Sequence, residues 1–232
     1  MPASAVPLDT LLQRADLWRG GHCARPAGSA IASGYPALDA ALPDGGWPRG
    51  SLTEILSPTL GGGELSLFLP ALRSLDAPAG WIVLVAPPAE LHAPAWQHHG
   101  LPLSRLIVVH AADVDAAWAC EQLLASGAVA ALLAWLPTAD ARSLRRLQLA
   151  STATRSLSLI FRPPSVAAQA SPAPLRVAVR GTTDGVQVEL LKRRGPPLCA
   201  PLMLAIERPL AWSRLHPRVY TPAPQHGEFH AA

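Results

Sequence analysis

A glycine-rich loop that follows a predicted strand is the part of the sequence nearest to a known chemical motif. Residues 57–66 read SPTLGGGELS, between the strand SLTEIL and a helix predicted over residues 65–75. In this setting, backbone N–H groups and a helix N-terminus can cradle phosphate. Residues 57–64 are therefore the candidate phosphate loop.

The loop departs from the phosphate-binding pattern GxxxxGK(S/T), and we describe it as degenerate. Gly61 and Gly62 supply glycines, but Gly63 stands where the pattern requires lysine, and Glu64 stands where it requires Ser or Thr. Lysine neutralises the β/γ-phosphates and the hydroxyl holds magnesium. The only lysine of the chain is Lys192, so no shift in register restores the cation. Two readings stay open: a loop with weak residual anion affinity, or a tight connection that binds no nucleotide.

A magnesium-binding carboxylate is also missing from the positions where this chemistry needs one. The predicted strand AALLAWLP ends in Trp135 and Leu136, and WIVLVAPP ends in two prolines. The histidines and cysteines show no structural-zinc spacing. We therefore predict no catalytic residue, no cofactor and no metal.

Composition sets the class of protein. The 232 residues are 50% hydrophobic and only 15% charged, with a net charge of +3, which suits one domain with a comparatively apolar surface and hints at a partner. The three cysteines lie far apart, so a reducing cytoplasm is expected. The sequence shows no signal peptide, and its longest apolar run is too short to span a bilayer.

Strands that alternate with helices predict an α/β fold with a mainly parallel central sheet flanked by helices. The predicted strands cover residues 51–56, 81–86, 106–110, 129–135 and 157–161, and the main helices cover 116–126 and 139–154. A late β-hairpin over 175–194 turns at Asp-Gly, and one more strand covers 202–206. We place the core at residues 30–206, with a flexible loop at 163–174, an N-terminal helix and linker at 1–29, and a flexible tail at 207–232.

Several stretches in this order resemble the RecA core. They are SGYPALDAALPDGGWPRGSLTEIL before the loop, RSLSLIFRPP, and the hairpin LRVAVRGTTDGVQVELLKRR. The segments LWRGG, GGGELSLFLPAL and LLKRRGPP resemble the ImuA family within that superfamily. This resemblance implies an SOS-type role in DNA-damage-induced translesion synthesis, beside an ImuB-like Y-family polymerase homologue and, through that complex, an error-prone replicative polymerase. RecA itself is a further candidate partner.

The candidate contact residues follow from this reading. The resemblance assigns the hairpin cations Lys192, Arg193 and Arg194 to an interface, against the alternative of a solvated strand end. The other interface candidates are Leu11, Leu12, Trp18 and Trp212. Arg142, Arg145, Arg146 and Arg162 are candidate DNA contacts, with a solvated helix face as the favoured alternative for the first three. Because the loop 163–174 has no basic or aromatic residue, DNA contact is expected to be weak or indirect.

Two other functions remain open at this stage. A SulA-type inhibitor of cell division would bind a tubulin-like protein. An atypical RecA-like ATPase would need Arg73 or a partner's residue in place of the missing lysine.

Overall fold

The structure is a computed structural model that describes residues 30–58, 63–75, 80–195, 198 and 200–206. Gly61, Gly62 and the predicted terminal segments, with Leu11, Leu12, Trp18 and Trp212, lie outside the described residues.

The centre of the molecule is a mixed, mainly parallel sheet. Its strands are β3 Ser51–Leu56, β4 Trp81–Val85, β5 Leu106–Val109, β6 Val129–Trp135, β7 Leu157–Arg162, β8 Leu175–Thr182, β9 Gly185–Lys192 and β10 Leu202–Ala205. In space they run in the order β10-β9-β8-β3-β7-β6-β4-β5. The pairings from β8 through β3 to β5 are parallel, and β8–β9 and β9–β10 are antiparallel. A short antiparallel pair, β1 (Ala30–Ile31) with β2 (Trp47–Pro48), precedes this sheet.

The central strands are buried on both faces, including the polar residues that they contain. Every residue of β3, β6 and β7 is buried, as expected for parallel strands covered on both faces. β5 pairs only with β4 and is half-buried along its length. The run LIVV therefore forms the edge of the sheet.

Helices cover both faces of the sheet and divide the core in two. The helices are α1 (Pro36–Ala41), α2 (Leu69–Arg73), α3 (Ala93–His98), α4 (Asp113–Ala125) and α5 (Ala141–Thr152). Trp47, Phe68 and Trp96 belong to the apolar cluster on the face of α1, α2 and α3. Cys120 and Leu144 belong to the cluster on the face of α4 and α5.

The helix predicted over residues 65–75 is shorter and starts differently. Residues Ser66–Phe68 form a 3₁₀ turn before α2. Pro70 lies in the first turn of α2, where its missing N–H costs no hydrogen bond. A continuous α-helix from residue 65 would place that proline in the interior.

The predicted late hairpin is present, and the structure describes its turn. β8 and β9 are joined by Thr183 and Asp184. Gly185 follows with φ 157°, and a Cβ there would lie 1.9 Å from the carbonyl oxygen of Leu204. Glycine at this position therefore lets β10 approach and extend the sheet.

The loop 163–174, which the sequence predicts to be flexible, makes several contacts with the sheet. The loop contains a 3₁₀ turn, Pro164–Val166. Buried Arg176 donates hydrogen bonds to the carbonyl oxygens of Val166 (2.9 Å), Ala167 (3.0 Å) and Gln169 (3.0 Å). The residue that makes these contacts lies outside the loop, so the composition of the loop does not indicate them.

Candidate functional site

The described part of the candidate phosphate loop lies between β3 and α2, in the strand–loop–helix order that the sequence predicts. Gly63 has φ 92°, a left-handed conformation in which a lysine side chain would be strained. Glu64 is buried, with 4% of its surface exposed. The positions equivalent to the motif's lysine and hydroxyl are thus a backbone turn and a buried carboxyl.

Aromatic side chains pack in series from the carboxyl ends of β6 and β7 to the 3₁₀ turn before α2 and to β2. Trp135, at the end of β6, stacks on Phe161 of β7 with ring centroids 4.7 Å apart and planes at 12°. Phe161 meets Phe68 edge-on at 5.9 Å, and Phe68 contacts Trp47 at 4.8 Å. We call these four residues the aromatic row. Open α/β sheets bind ligands outside the carboxyl ends of their strands, so apolar rings occupy the region where a magnesium carboxylate would be expected.

The sequence shows Trp135 at the strand end where a magnesium-binding acid was expected, but the aromatic row was not predicted. The available signal was an aromatic residue near the carboxyl end of each of two strands, which become neighbours only once the strand order is known.

A buried ionic cluster lies on the opposite face of the central sheet, and it was not predicted from the sequence either. Glu54 of β3 accepts hydrogen bonds from Arg162 of β7 (Nη1 to Oε1, 2.7 Å) and Arg176 of β8 (Nε to Oε2, 2.6 Å). All three residues are at least 94% buried. The register pairs Glu54 with Ile160 and Arg176, so Arg162, two residues beyond Ile160, shares their face. A lone acid inside a central apolar strand was the usable signal.

The pKa of Glu54 reflects these contacts. Burial alone would raise the pKa, but hydrogen bonds from Arg162 and Ser171 and the charges of Arg176 and Arg162 outweigh it. The pKa of Glu54 therefore lies below its ordinary value of 4.5, and the carboxylate is ionised at neutral pH.

The prediction that Arg162 contacts DNA is wrong. Its guanidinium is 94% buried and is held by Glu54 and by the carbonyl oxygen of Ala139, 2.7 Å from Nη2. A phosphate contact would require breaking the ion pair with Glu54 inside the core, which is strongly unfavourable.

The three arginines of α5 separate into two surfaces. Arg146 forms an ion pair of 2.5 Å with Glu121 of α4. Arg142 and Arg145 are exposed and line a groove of about 440 Å³, together with Ala141, Ala170, Ser171 and Pro172. Asp140 caps the helix by accepting a hydrogen bond of 2.7 Å from the backbone N–H of Ser143. Of the three arginines on α5, Arg146 is therefore paired with an acid of α4, and Arg142 and Arg145 face the groove.

The hairpin cations do not form one surface. Lys192 is the last residue of β9, and its Nζ donates to the carbonyl oxygen of Ser171 at 2.8 Å. Arg193 donates to the carbonyl oxygen of Ala41 across the other side of the sheet, while Arg194 is exposed. The sequence interpretation placed all three on the strand; instead, Arg193 and Arg194 follow its end.

The described residues offer neither a metal-binding cluster nor a membrane-spanning helix. Across the described ranges, no group of three or more His, Cys, Asp or Glu side chains could hold a metal ion. No helix in these ranges combines the length and apolarity needed to cross a bilayer.

Comparison with known proteins places the chain among two named groups. The family model "Cell division inhibitor SulA" matches residues 58–158. SulA of Photorhabdus laumondii is 33% identical over 111 residues, covering 47% of this chain and 63% of that protein. Protein ImuA of Caulobacter vibrioides is 34% identical over 126 residues, covering 52% of each chain. The chain thus spans between half and two thirds of the length of these curated relatives.

A further SulA, from Edwardsiella piscicida, is 33% identical over 124 residues, which cover 51% of this chain and 72% of that protein. The crystal structure of SulA from Pseudomonas aeruginosa aligns with a TM-score of 0.41 and 28% identity, covering 48% of this chain and 97% of that one. The chain belongs to the SulA/ImuA-like family.

Proposed function

We propose that this chain is a non-catalytic accessory protein of the bacterial DNA-damage response, with a RecA-like core that acts through protein–protein contacts. The observation that carries the proposal is the aromatic row, because Trp135 stacked on Phe161 occupies the strand end where a magnesium carboxylate is needed. The buried Glu64 and the left-handed Gly63 in the loop support it. The alternative of an atypical ATPase would lack a magnesium-binding carboxylate at the end of β6, where Trp135 stands instead.

Within that class, we favour the ImuA-type role in translesion synthesis. The SulA family model ends at residue 158, whereas the sheet continues beyond it through β8, β9 and β10. This antiparallel extension suits a fuller core of the kind that the ImuA resemblance implies. The proposed partner is an ImuB-like Y-family polymerase homologue, through which the chain would meet an error-prone replicative polymerase, in the cytoplasm; RecA is a secondary candidate.

The SulA-type role is the second candidate, and a specific observation favours it. The SulA model matches residues 58–158, which run from the loop after β3 to the first residues of β7, and several SulA relatives match about half of the chain. In this role the chain would bind a tubulin-like protein and block its assembly.

Co-expression with the Y-family homologue from the same source separates the two roles. The accessory role predicts a complex that survives gel filtration at micromolar concentration and weakens when residues 1–29 or 207–232 are removed. In parallel, purified chain is added to a tubulin-like protein assembling with GTP. Inhibited assembly without a polymerase complex would overturn the first role and establish the second.

A further inference from the structure

The groove between α5 and the loop 163–174 has the form of a prebuilt binding surface. Its walls come from Ala141, Arg142 and Arg145 on one side and from Ala170, Ser171 and Pro172 on the other. Four of these six residues have small side chains, so the two arginines are the only long side chains among them. A groove of about 440 Å³ between two walls admits a short segment of extended polypeptide.

Positively charged side chains lie at both walls of the groove. Arg142 and Arg145 are exposed along one wall. Lys192 binds the backbone of Ser171 on the other. The cluster behind that wall contains two guanidinium groups and one carboxylate, since Arg162 and Arg176 share Glu54. The acid beside the groove, Asp140, is exposed and already accepts the capping hydrogen bond from Ser143.

The loop wall is fixed before any ligand arrives. Arg176 holds the carbonyl oxygens of Val166, Ala167 and Gln169, and Ser171 hydrogen-bonds to Glu54. A preorganised wall lowers the entropic cost of binding. The ionic cluster therefore does more than hold strands together, because it sets the shape of the groove.

The cationic side chains at the groove favour an acidic ligand. Guanidinium and ammonium groups bind carboxylates through charge-assisted hydrogen bonds. Single-stranded nucleic acid generally also needs aromatic platforms for base stacking, and none of the six lining residues is aromatic. We propose that this groove binds an extended acidic segment of a partner protein. The inference rests on the proposed function only in requiring that the chain acts by binding a protein, whichever partner that is.

Fluorescence anisotropy tests the proposal on the full chain. The probe is a labelled peptide of about a dozen alternating Asp and Ala residues, and labelled oligo(dT) of similar length is the nucleic-acid arm. The double variant Arg142→Glu/Arg145→Glu should weaken peptide binding at least about tenfold. Arg142→Lys/Arg145→Lys should retain most of it. Arg73→Glu/Arg180→Glu is the charge-matched control, since both residues are exposed and outside the groove.

Each result decides the matter. Loss of peptide binding in the groove variant alone, with oligo(dT) bound more weakly than peptide, supports the proposal. Equal weakening in the control, stronger binding of oligo(dT), or no peptide binding by the native chain overturns it. Unchanged thermal unfolding of the variants shows that folding is intact. Peptide binding combined with failure to form the polymerase complex would refute the proposed partner while leaving the groove assignment standing.

Discussion

At the scale of single residues, Glu54 and Arg176 connect the stability of the sheet to the shape of its surface. Glu54 forms ion pairs with two buried guanidinium groups. Arg176 forms one of these ion pairs and also donates hydrogen bonds to three carbonyl oxygens of the loop 163–174. The sequence could not show this, because Glu54 and Arg176 are more than a hundred residues apart. Their pairing follows from β3 lying between β7 and β8.

Replacing Glu54 by Gln should destabilise the protein by about 3–5 kcal/mol, because it leaves buried guanidinium groups without a countercharge. Chemical denaturation at neutral pH measures this loss. Leu52→Ala, on the same strand and also buried, is the matched control for the loss of apolar packing alone. A Glu54→Gln cost under about 1 kcal/mol would contradict the assigned role.

The stability should also depend on pH through Glu54. Its pKa is lowered on folding, so its contribution is present above the unfolded value near 4.5 and is lost as pH falls through the folded value. Denaturation curves from pH 7 to pH 3 should show native stability falling more steeply than that of Glu54→Gln. Parallel curves would show that Glu54 is not the responsible group.

Changing Arg176 to Lys keeps the charge but cannot reproduce the spread of guanidinium donors. We expect faster backbone hydrogen exchange at residues 166–171, with stability lower by about 2 kcal/mol. Hydrogen-exchange mass spectrometry reads out both the loop and the rest of the sheet. Unchanged exchange in the loop would mean that its order does not depend on Arg176.

At the scale of elements, strands and helices were predicted better than the surfaces they create. Continuous apolar runs identified β4 and β6, because parallel strands buried on both faces need no alternation. The short pair β1–β2 was missed, since two residues per strand leave no periodicity. The aromatic row and the groove were also missed, because both depend on strand order.

The row predicts that restoring the motif's residues will not restore nucleotide binding. Gly63→Lys/Glu64→Thr replaces the missing groups, but Trp135 and Phe161 still fill the strand ends, and lysine at a φ of 92° is strained. Isothermal titration with Mg-ATP should show no binding to this variant. Micromolar affinity would prove that the rings do not obstruct a site.

At the scale of the whole molecule, the fold is a mainly parallel sheet flanked by helices, with a low content of charged residues. Low charge content and the excess of arginine over a single lysine were visible in the sequence. The sequence also allowed the family to be identified. It could not separate the two family roles, because the family model covers β4 to β6 and leaves β3 and the late strands β8 to β10 outside.

Sedimentation velocity of the purified chain mixed with its Y-family homologue, with and without Mg-ATP, tests the non-catalytic role most directly. We predict one complex at micromolar concentration, with the same affinity in both conditions and no phosphate release. A complex that forms only with Mg-ATP, or no complex together with ATP hydrolysis, would contradict a non-catalytic role based on protein contacts.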